Sequence, residues 1–170
     1  MDIIQSWKGL TVEIGNTDAE GWLVLADTLT YTQEHYNPKR IIDLATLTGA
    51  VVVGLGDKTA GIFSNNEELA DSVIKSSKEM HESCWKLPIF DHHWEDIKPE
   101  CANLSNTGKS RYGGACTAAA FLEAFIDKDW AWVHMDIAGP AMAKAPCPPM
   151  PAGGTGFGTL TLLDVLRGNK

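Results

Sequence analysis

Signals of several common protein classes are missing from this chain of 170 residues. It contains no run of Lys and Arg, and its net charge is −8, so it lacks the basic surface that nucleic-acid binding requires. The longest uncharged apolar run with strand character, residues 44–56, is too short and too glycine-rich to span a bilayer. Residues 1–5 form neither a basic nor an apolar segment, so we expect no signal peptide.

Paired cysteines are also missing. Cys84, Cys101, Cys116 and Cys147 are far apart and form no Cys-x-x-Cys pair, which argues against a zinc cage. We expect reduced thiols, as in a protein of the cytoplasm or of an organelle matrix. The hydrophobic content of 44% and charged content of 21% are typical of a soluble globular protein.

Two further patterns resemble ligand sites but lack the context that such sites need. Residues 153–158 are glycine-rich, yet they contain no Gly-Lys-Ser/Thr and do not directly follow a strand, which argues against a nucleotide site. His92 and His93 are adjacent, and neighbouring side chains point apart on a helix or a strand. We therefore do not expect them to share a metal ion.

Hydrophobic periodicity predicts alternating strands and helices along the chain. It predicts strands over residues 10–14, 40–44, 50–56, 59–63 and 131–136, helices over about 22–36, 69–80, 115–126 and 159–166, and a loop over 140–158. This alternation is typical of an α/β fold, here a three-layer one with a mixed, mostly parallel sheet flanked by helices. Because no linker or repeat interrupts it, we expect residues 1–170 to form a single domain.

The segment that carries most information is Asn-Thr-Asp-Ala-Glu-Gly, residues 16–21. If it is extended, Asp18 and Glu20 point the same way, because side chains alternate faces along a strand. Two such carboxylates can converge on one divalent cation or on two neighbouring ones. A helical pattern opens directly after Gly21, at Trp22. From spacing alone, a solvated acidic turn remains the alternative.

The residues around this motif carry a family resemblance. Residues 16–27 closely resemble the signature of the leucyl aminopeptidase family of metallopeptidases. The matching segments that follow are 43–50, 85–88, 103–106, 113–115, 136–140 and 155–158, in the order that the family has them. The resemblance implies the C-terminal, zinc-peptidase-like catalytic domain of such an enzyme, without the family's N-terminal domain.

The family's chemistry implies roles for individual residues. Asp18 would bind metal through its side chain and main-chain carbonyl, and Glu20 would bridge two divalent ions, zinc or manganese. Other matching positions would contact the peptide substrate. These are Thr46, Leu47 through its main-chain carbonyl, Gly49, and Ala138 in the pocket for the first side chain. A strand end followed by a tight glycine turn explains residues 47–49 equally well.

Two departures from the family bear on catalysis. Trp22 stands where the family has an arginine that holds a bicarbonate ion, and a tryptophan has one donor and no charge with which to hold an anion. The family's other metal ligands, a lysine and two aspartates, and a catalytic lysine lie upstream of the motif, and nothing in residues 1–15 matches them. We therefore expect weak metal binding and no independent catalysis.

Three explanations of these departures stay open. The chain is a fragment of an active enzyme, a degenerate paralogue that serves as a structural or assembly subunit, or one half of a split enzyme. The family implies a hexamer of full-length subunits. We also expect this chain to self-associate or bind a partner, with the contact near Ile3, Ile4, Trp7 and Val12, since an incomplete sheet leaves an unpaired edge.

Overall fold

The described residues form two compact units. A computed structural model describes residues 1–146 and 151–168. The first unit comprises Met1–Ile41 and Pro88–Trp132, and the second comprises Ile42–Leu87 and Val133–Lys170. In chain order the elements are β1 (Ile3–Gln5), β2 (Thr11–Glu13), α1 (Glu20–Tyr36), β3 (Arg40–Ala45), α2 (Gly49–Leu55), β4 (Ala60–Ser64), α3 (Glu67–Glu79), β5 (Cys84–Lys86), α4 (Asp91–Asp96), β6 (Leu104–Ser105), α5 (Gly114–Glu123), β7 (Ala131–Asp136), β8 (Met142–Ala143), β9 (Gly153–Gly154) and α6 (Thr159–Gly168).

The strands pair in both directions. In the sheet ordered β1-β2-β6, the first pair is antiparallel and the second is parallel. In the sheet ordered β3-β7-β4-β5, β4 pairs with β5 in parallel and with β7 antiparallel. Helices α2 and α3 pack against β4. The predicted α/β fold, with mixed sheets flanked by helices, is confirmed. No helix within residues 1–146 and 151–168 combines the length and the apolar character needed to cross a membrane.

Helix α1 begins inside the acidic motif of residues 16–21 and confirms the helix predicted over about 22–36. Its buried positions repeat with helical spacing and include Trp22, Ala26 and Leu29. The helix ends where Asn37 adopts a left-handed conformation, with φ of 44°. Pro38 follows and cannot continue the hydrogen-bond ladder. Because these buried side chains fix the helix, they also fix Glu20 in its first turn.

The strand predicted over residues 50–56 is wrong, since this segment is helix α2. Its three consecutive valines favour a strand by propensity. Two local bonds specify a helix instead: the Thr48 side chain accepts a hydrogen bond from the Val51 N–H, and the Gly56 N–H donates to the Val52 carbonyl. Gly61 on β4 accommodates the helix, because a Cβ there would lie 2.7 Å from a Val51 methyl.

The paired strands β4 and β7 carry the buried core of the second unit. Ile62, Phe63, Val133 and Met135 are all fully buried. This confirms the buried strand predicted over 131–136. The predicted loop over 140–158 contains the short antiparallel pair β8–β9, and residues 147–150, with Cys147, lie outside the described residues.

Candidate active site

The acidic motif is a turn that leads into a helix. The Ala19 N–H donates to the Asn16 carbonyl at 3.3 Å, and the Asp18 N–H donates to the Asn16 side-chain oxygen at 3.0 Å. Glu20 is the first residue of α1, and both carboxylate residues are exposed. The segment is therefore not extended, and its conformation is that of the alternative, a solvated acidic turn. The turn forms because Asn16 can bond its own backbone two residues on.

One buried side chain holds the main chain of this turn. Asn106 directly follows β6 and has no exposed surface. Its side-chain oxygen accepts from the Gly15 and Asn16 N–H groups at 2.9 and 3.2 Å. Its amide nitrogen donates to the Asn16 carbonyl at 2.6 Å and to the Ala19 carbonyl at 3.5 Å. An amide serves here because it both donates and accepts.

Trp22 lies inside the first unit. Its side chain is only 8% exposed, and its ring packs at a tilt on Phe121 of α5, with 5.3 Å between ring centroids. A buried indole on an aromatic ring is an apolar packing contact. Trp22 is therefore placed as an apolar residue that covers the first turn of α1.

The described residues do not by themselves fit a dinuclear metal centre. Within residues 1–146 and 151–168, no group of three or more His, Cys, Asp and Glu side chains could hold a metal ion. Asp18 and Glu20 supply two carboxylates, whereas zinc takes about four ligands. The rings of His92 and His93 lie 4.0 Å apart, closer than expected, but His93 Nδ1 accepts from the Phe90 N–H.

The two partly buried thiols, Cys84 and Cys116, are poor nucleophiles. Cys84, Cys101 and Cys116 are free cysteines. Burial raises the pKa of the Cys84 thiol to about 11 and also raises the pKa of the Cys116 thiol. Since the thiolate is the reactive form, both remain protonated and unreactive near neutral pH.

Leu47 and Ala138 meet at a second buried side chain. Asp136, the last residue of β7, is 1% exposed. One carboxylate oxygen accepts from the Leu47 N–H at 3.1 Å and from the Ala138 N–H at 3.2 Å. The other accepts from the Thr48 hydroxyl at 2.6 Å. The ends of β3 and β7 also join directly, because the Ile137 N–H donates to the Ala45 carbonyl at 2.8 Å.

The predicted site residues therefore fall into two groups. Asp18 and Glu20 lie together in the first unit, at the start of α1. Leu47 and Ala138 lie together in the second unit, and the exposed Thr46 and Gly49 flank the same loop.

Sequence reasoning assigned no role to Asn106 or Asp136, although both lie in segments that carry the resemblance. What the two residues share is a polar side chain at the end of a buried strand. Asn106 follows Leu104–Ser105, and Asp136 ends Ala131–Asp136. Such residues are placed to bond the loop that leaves a neighbouring strand.

The fold and the motif are those of an aminopeptidase catalytic domain. The model of the cytosol aminopeptidase family, catalytic domain, matches residues 1–163, and the chain belongs to this family. It is 52% identical over 172 residues to a protein of Chlorobaculum tepidum named probable cytosol aminopeptidase, covering 98% of this chain and 33% of the relative. A protein of the same name from Persephonella marina is 51% identical over 165 residues, covering 97% of this chain and 33% of the relative.

A solved structure agrees. A tomato leucine aminopeptidase with a lysine-to-glutamate substitution matches with a TM-score of 0.89 and 42% identity, over 98% of this chain and 32% of that one. The chain thus spans about a third of the length of the curated relatives it matches.

Proposed function

We propose that this chain supplies part of the catalytic domain of a leucyl aminopeptidase, which removes the N-terminal residue of peptides. The main support is the family match together with the acidic turn, which presents Asp18 and Glu20 to solvent on a main chain fixed by Asn106. The carboxylates are this chain's share of a zinc or manganese site whose other ligands come from residues outside it. Thr46, Leu47, Gly49 and Ala138 form its share of the peptide site.

By itself the chain is a poor catalyst under this proposal. Two exposed carboxylates hold a divalent ion weakly, because most of the ligand shell is then water. Trp22 is buried against Phe121 and offers no charge to an anion. A degenerate paralogue accounts for both features, whereas a fragment accounts for the missing ligands alone. An in-frame upstream extension rich in Lys, Asp and Gly would favour a fragment.

Two measurements on the whole chain test this function. Zinc should shift the amide NMR signals of Asp18 and Glu20 weakly, and manganese should broaden them only at high concentration. The tripeptide Leu-Gly-Gly should shift the signals of Leu47 and Ala138. Leucine p-nitroanilide should not be hydrolysed above background with added metal and bicarbonate. The variant Glu20→Ala should abolish the metal response, whereas Glu100→Ala, at an exposed glutamate outside the motif, should not.

Each result has a distinct meaning. Absence of any response to Leu-Gly-Gly would contradict the peptide site. Hydrolysis that Glu20→Ala abolishes and Glu100→Ala preserves would contradict the lack of independent catalysis, and would make the chain a self-sufficient enzyme.

We also propose that the chain associates with another polypeptide, either a second copy or the rest of a hexameric enzyme. Strand β1 is an edge of its sheet, and the exposed fractions of Ile3, Ile4 and Trp7 are 47%, 41% and 57%. Val12 was expected at the same contact but is 1% exposed, because β2 lies between β1 and β6. Light scattering that shows a monomer at all concentrations would contradict self-association. A cytoplasmic location, as the relatives' name indicates, is part of the proposal.

A further inference from the structure

Asp136 stands at the point where two loops leave the sheet of the second unit. Its own strand continues into Ile137 and Ala138, and the neighbouring strand β3 continues into the loop of residues 46–48. Among residues 1–146 and 151–168, the hydrogen bonds that its carboxylate accepts all come from these two loops. A carboxylate suits this position because an ionised carboxyl is an acceptor only, and each partner is a donor.

These bonds fix the Leu47 carbonyl, because groups before and after it along the chain are both anchored to Asp136. That carbonyl belongs to the peptide between Leu47 and Thr48. The N–H of Leu47 precedes this peptide and the Thr48 hydroxyl follows it, and both donate to the one carboxylate. The Thr48 oxygen also accepts from the Val51 N–H and so begins α2. The peptide plane is therefore held between two anchored points.

The Ala138 loop is held just as closely. Its N–H shares one carboxylate oxygen with the Leu47 N–H. The next residue, Gly139, packs against backbone, and a Cβ there would lie 2.5 Å from the Gly56 carbonyl oxygen. The two loops thus have one common anchor, and neither can move at that anchor without breaking a bond to Asp136.

We propose that Asp136 is a positioning residue for the first residue of a peptide substrate. It holds the Leu47 carbonyl and the Ala138 side chain in the relative position that this substrate residue requires. The substrate assignment rests on the proposed function. The positioning itself rests only on the hydrogen bonds. Asp136 does not touch the substrate but acts through the two loops.

Amide hydrogen exchange of the whole chain tests the positioning without requiring activity. Leu47 and Ala138 lie outside every helix and strand, yet in the wild-type chain their amides should exchange slowly. In Asp136→Ala both should exchange at least about tenfold faster, because each loses its acceptor. The Ile137 amide, bonded to Ala45, is the internal reference and should change little.

Two variants separate positioning from general stability. Asp136→Asn keeps one oxygen acceptor and should restore slow exchange at both amides. Thr48→Val removes the hydrogen bond from the Thr48 hydroxyl to Asp136 and the bond from the Val51 N–H that caps α2. It should nevertheless leave the Leu47 and Ala138 amides protected. Asp129→Asn, at an exposed aspartate just before β7, is the matched control and should resemble the wild type.

Leu-Gly-Gly binding, followed by NMR, supplies the functional readout. Asp136→Ala should weaken binding about tenfold, and Asp136→Asn should recover most of it. Fast wild-type exchange at either amide, or equal acceleration of all amides in Asp136→Ala, would overturn the positioning role. If Asp136→Ala does not fold, wild-type exchange and the other two variants decide the question. Protected amides without wild-type binding of the tripeptide would support the positioning and refute the proposed function.

Discussion

The turn of Asp18 and Glu20 and the loops of Leu47 and Ala138 are each held by one buried polar side chain, but the two side chains differ in kind. Asn106 both donates and accepts, and its partners are main-chain N–H and carbonyl groups of the turn. Asp136 only accepts, and it gathers two N–H groups and a hydroxyl from two loops. Both residues stand where a strand ends.

The charge of each anchoring side chain matches the groups that its loops expose. The turn leaves its own carboxylates in solvent, so its anchor is neutral and adds no further negative charge beside them. The other loops present main chain and a small apolar side chain, so a charged anchor can be buried beneath them. Hydrogen bonds to a charged group are worth about 1.5–3 kcal/mol, roughly twice those between neutral groups. Variants that first remove the packing beside the acidic turn and then its neutral anchor, Asn106, complete the comparison with the Asp136 variants.

The largest effect should come from the packing beneath the acidic turn. Trp22→Ala removes a buried indole from its contact with Phe121 and should reduce the free energy of unfolding by about 3–5 kcal/mol. Urea unfolding followed by circular dichroism measures it. Trp85→Ala is the matched control, since that indole is 65% exposed. Its effect should stay within about 0.5 kcal/mol. Equal effects of the two variants would show that Trp22 does not support the turn.

A smaller effect should follow from loss of the neutral anchor. Asn106→Leu keeps the side-chain size but leaves the Gly15 and Asn16 N–H groups without their acceptor, and should cost about 1–3 kcal/mol. Exchange of the Gly15 and Asn16 amides should accelerate at the same time.

Asn103 provides the matched comparison for that change. It is exposed, and its side-chain oxygen accepts from the Thr11 N–H and hydroxyl at 2.8 Å. Because water can replace these bonds, Asn103→Leu should cost less than Asn106→Leu. An equal or larger loss at Asn103 would contradict the role of burial in making Asn106 an anchor.

The sequence predicted elements well where a single periodic pattern dominated. Hydrophobic periodicity predicts helix α1 over about residues 22–36, and the observed helix spans Glu20–Tyr36. Helix α2 differs from the predicted strand because Val51–Val53 favour a strand by propensity, whereas the residues on both sides of them favour a helix. Thr48 and Gly56 bracket that segment as helix caps do, and both are visible in the sequence.

The anchors could not be derived from periodicity. Asn106 lies 90 positions from Asn16, and Asp136 lies 89 positions from Leu47. Contacts at such separations depend on which strands become neighbours. The resemblance placed Leu47 and Ala138 in one site, but only the structure shows the carboxylate that joins them.

The smallest effect concerns pH, and it belongs to the unit that carries the acidic turn. Burial, and then the neighbouring His92, lower the pKa of His93 below its usual 6.5, while Asp96 opposes the shift. The unfolded chain therefore binds more protons than the folded chain once the pH falls below 6.5. The contribution of neutral His93 is complete above pH 6.5 and is lost as the pH falls through the lowered pKa.

The hydrogen bond at the start of α4 gives this titration a structural consequence. His93 Nδ1 accepts from the Phe90 N–H at 2.9 Å, and a protonated ring cannot accept there. Acidification from pH 7.5 to 5.5 should lower the unfolding midpoint more in the wild type than in His93→Gln. It should also lower the protection factor of the His93 amide, which donates to the Phe90 carbonyl, once the intrinsic pH dependence of exchange is divided out. The variant His35→Gln, at an exposed histidine, should keep the wild-type pH dependence. If His93→Gln keeps it as well, the acid sensitivity comes from other groups, and the start of α4 is not pH-dependent.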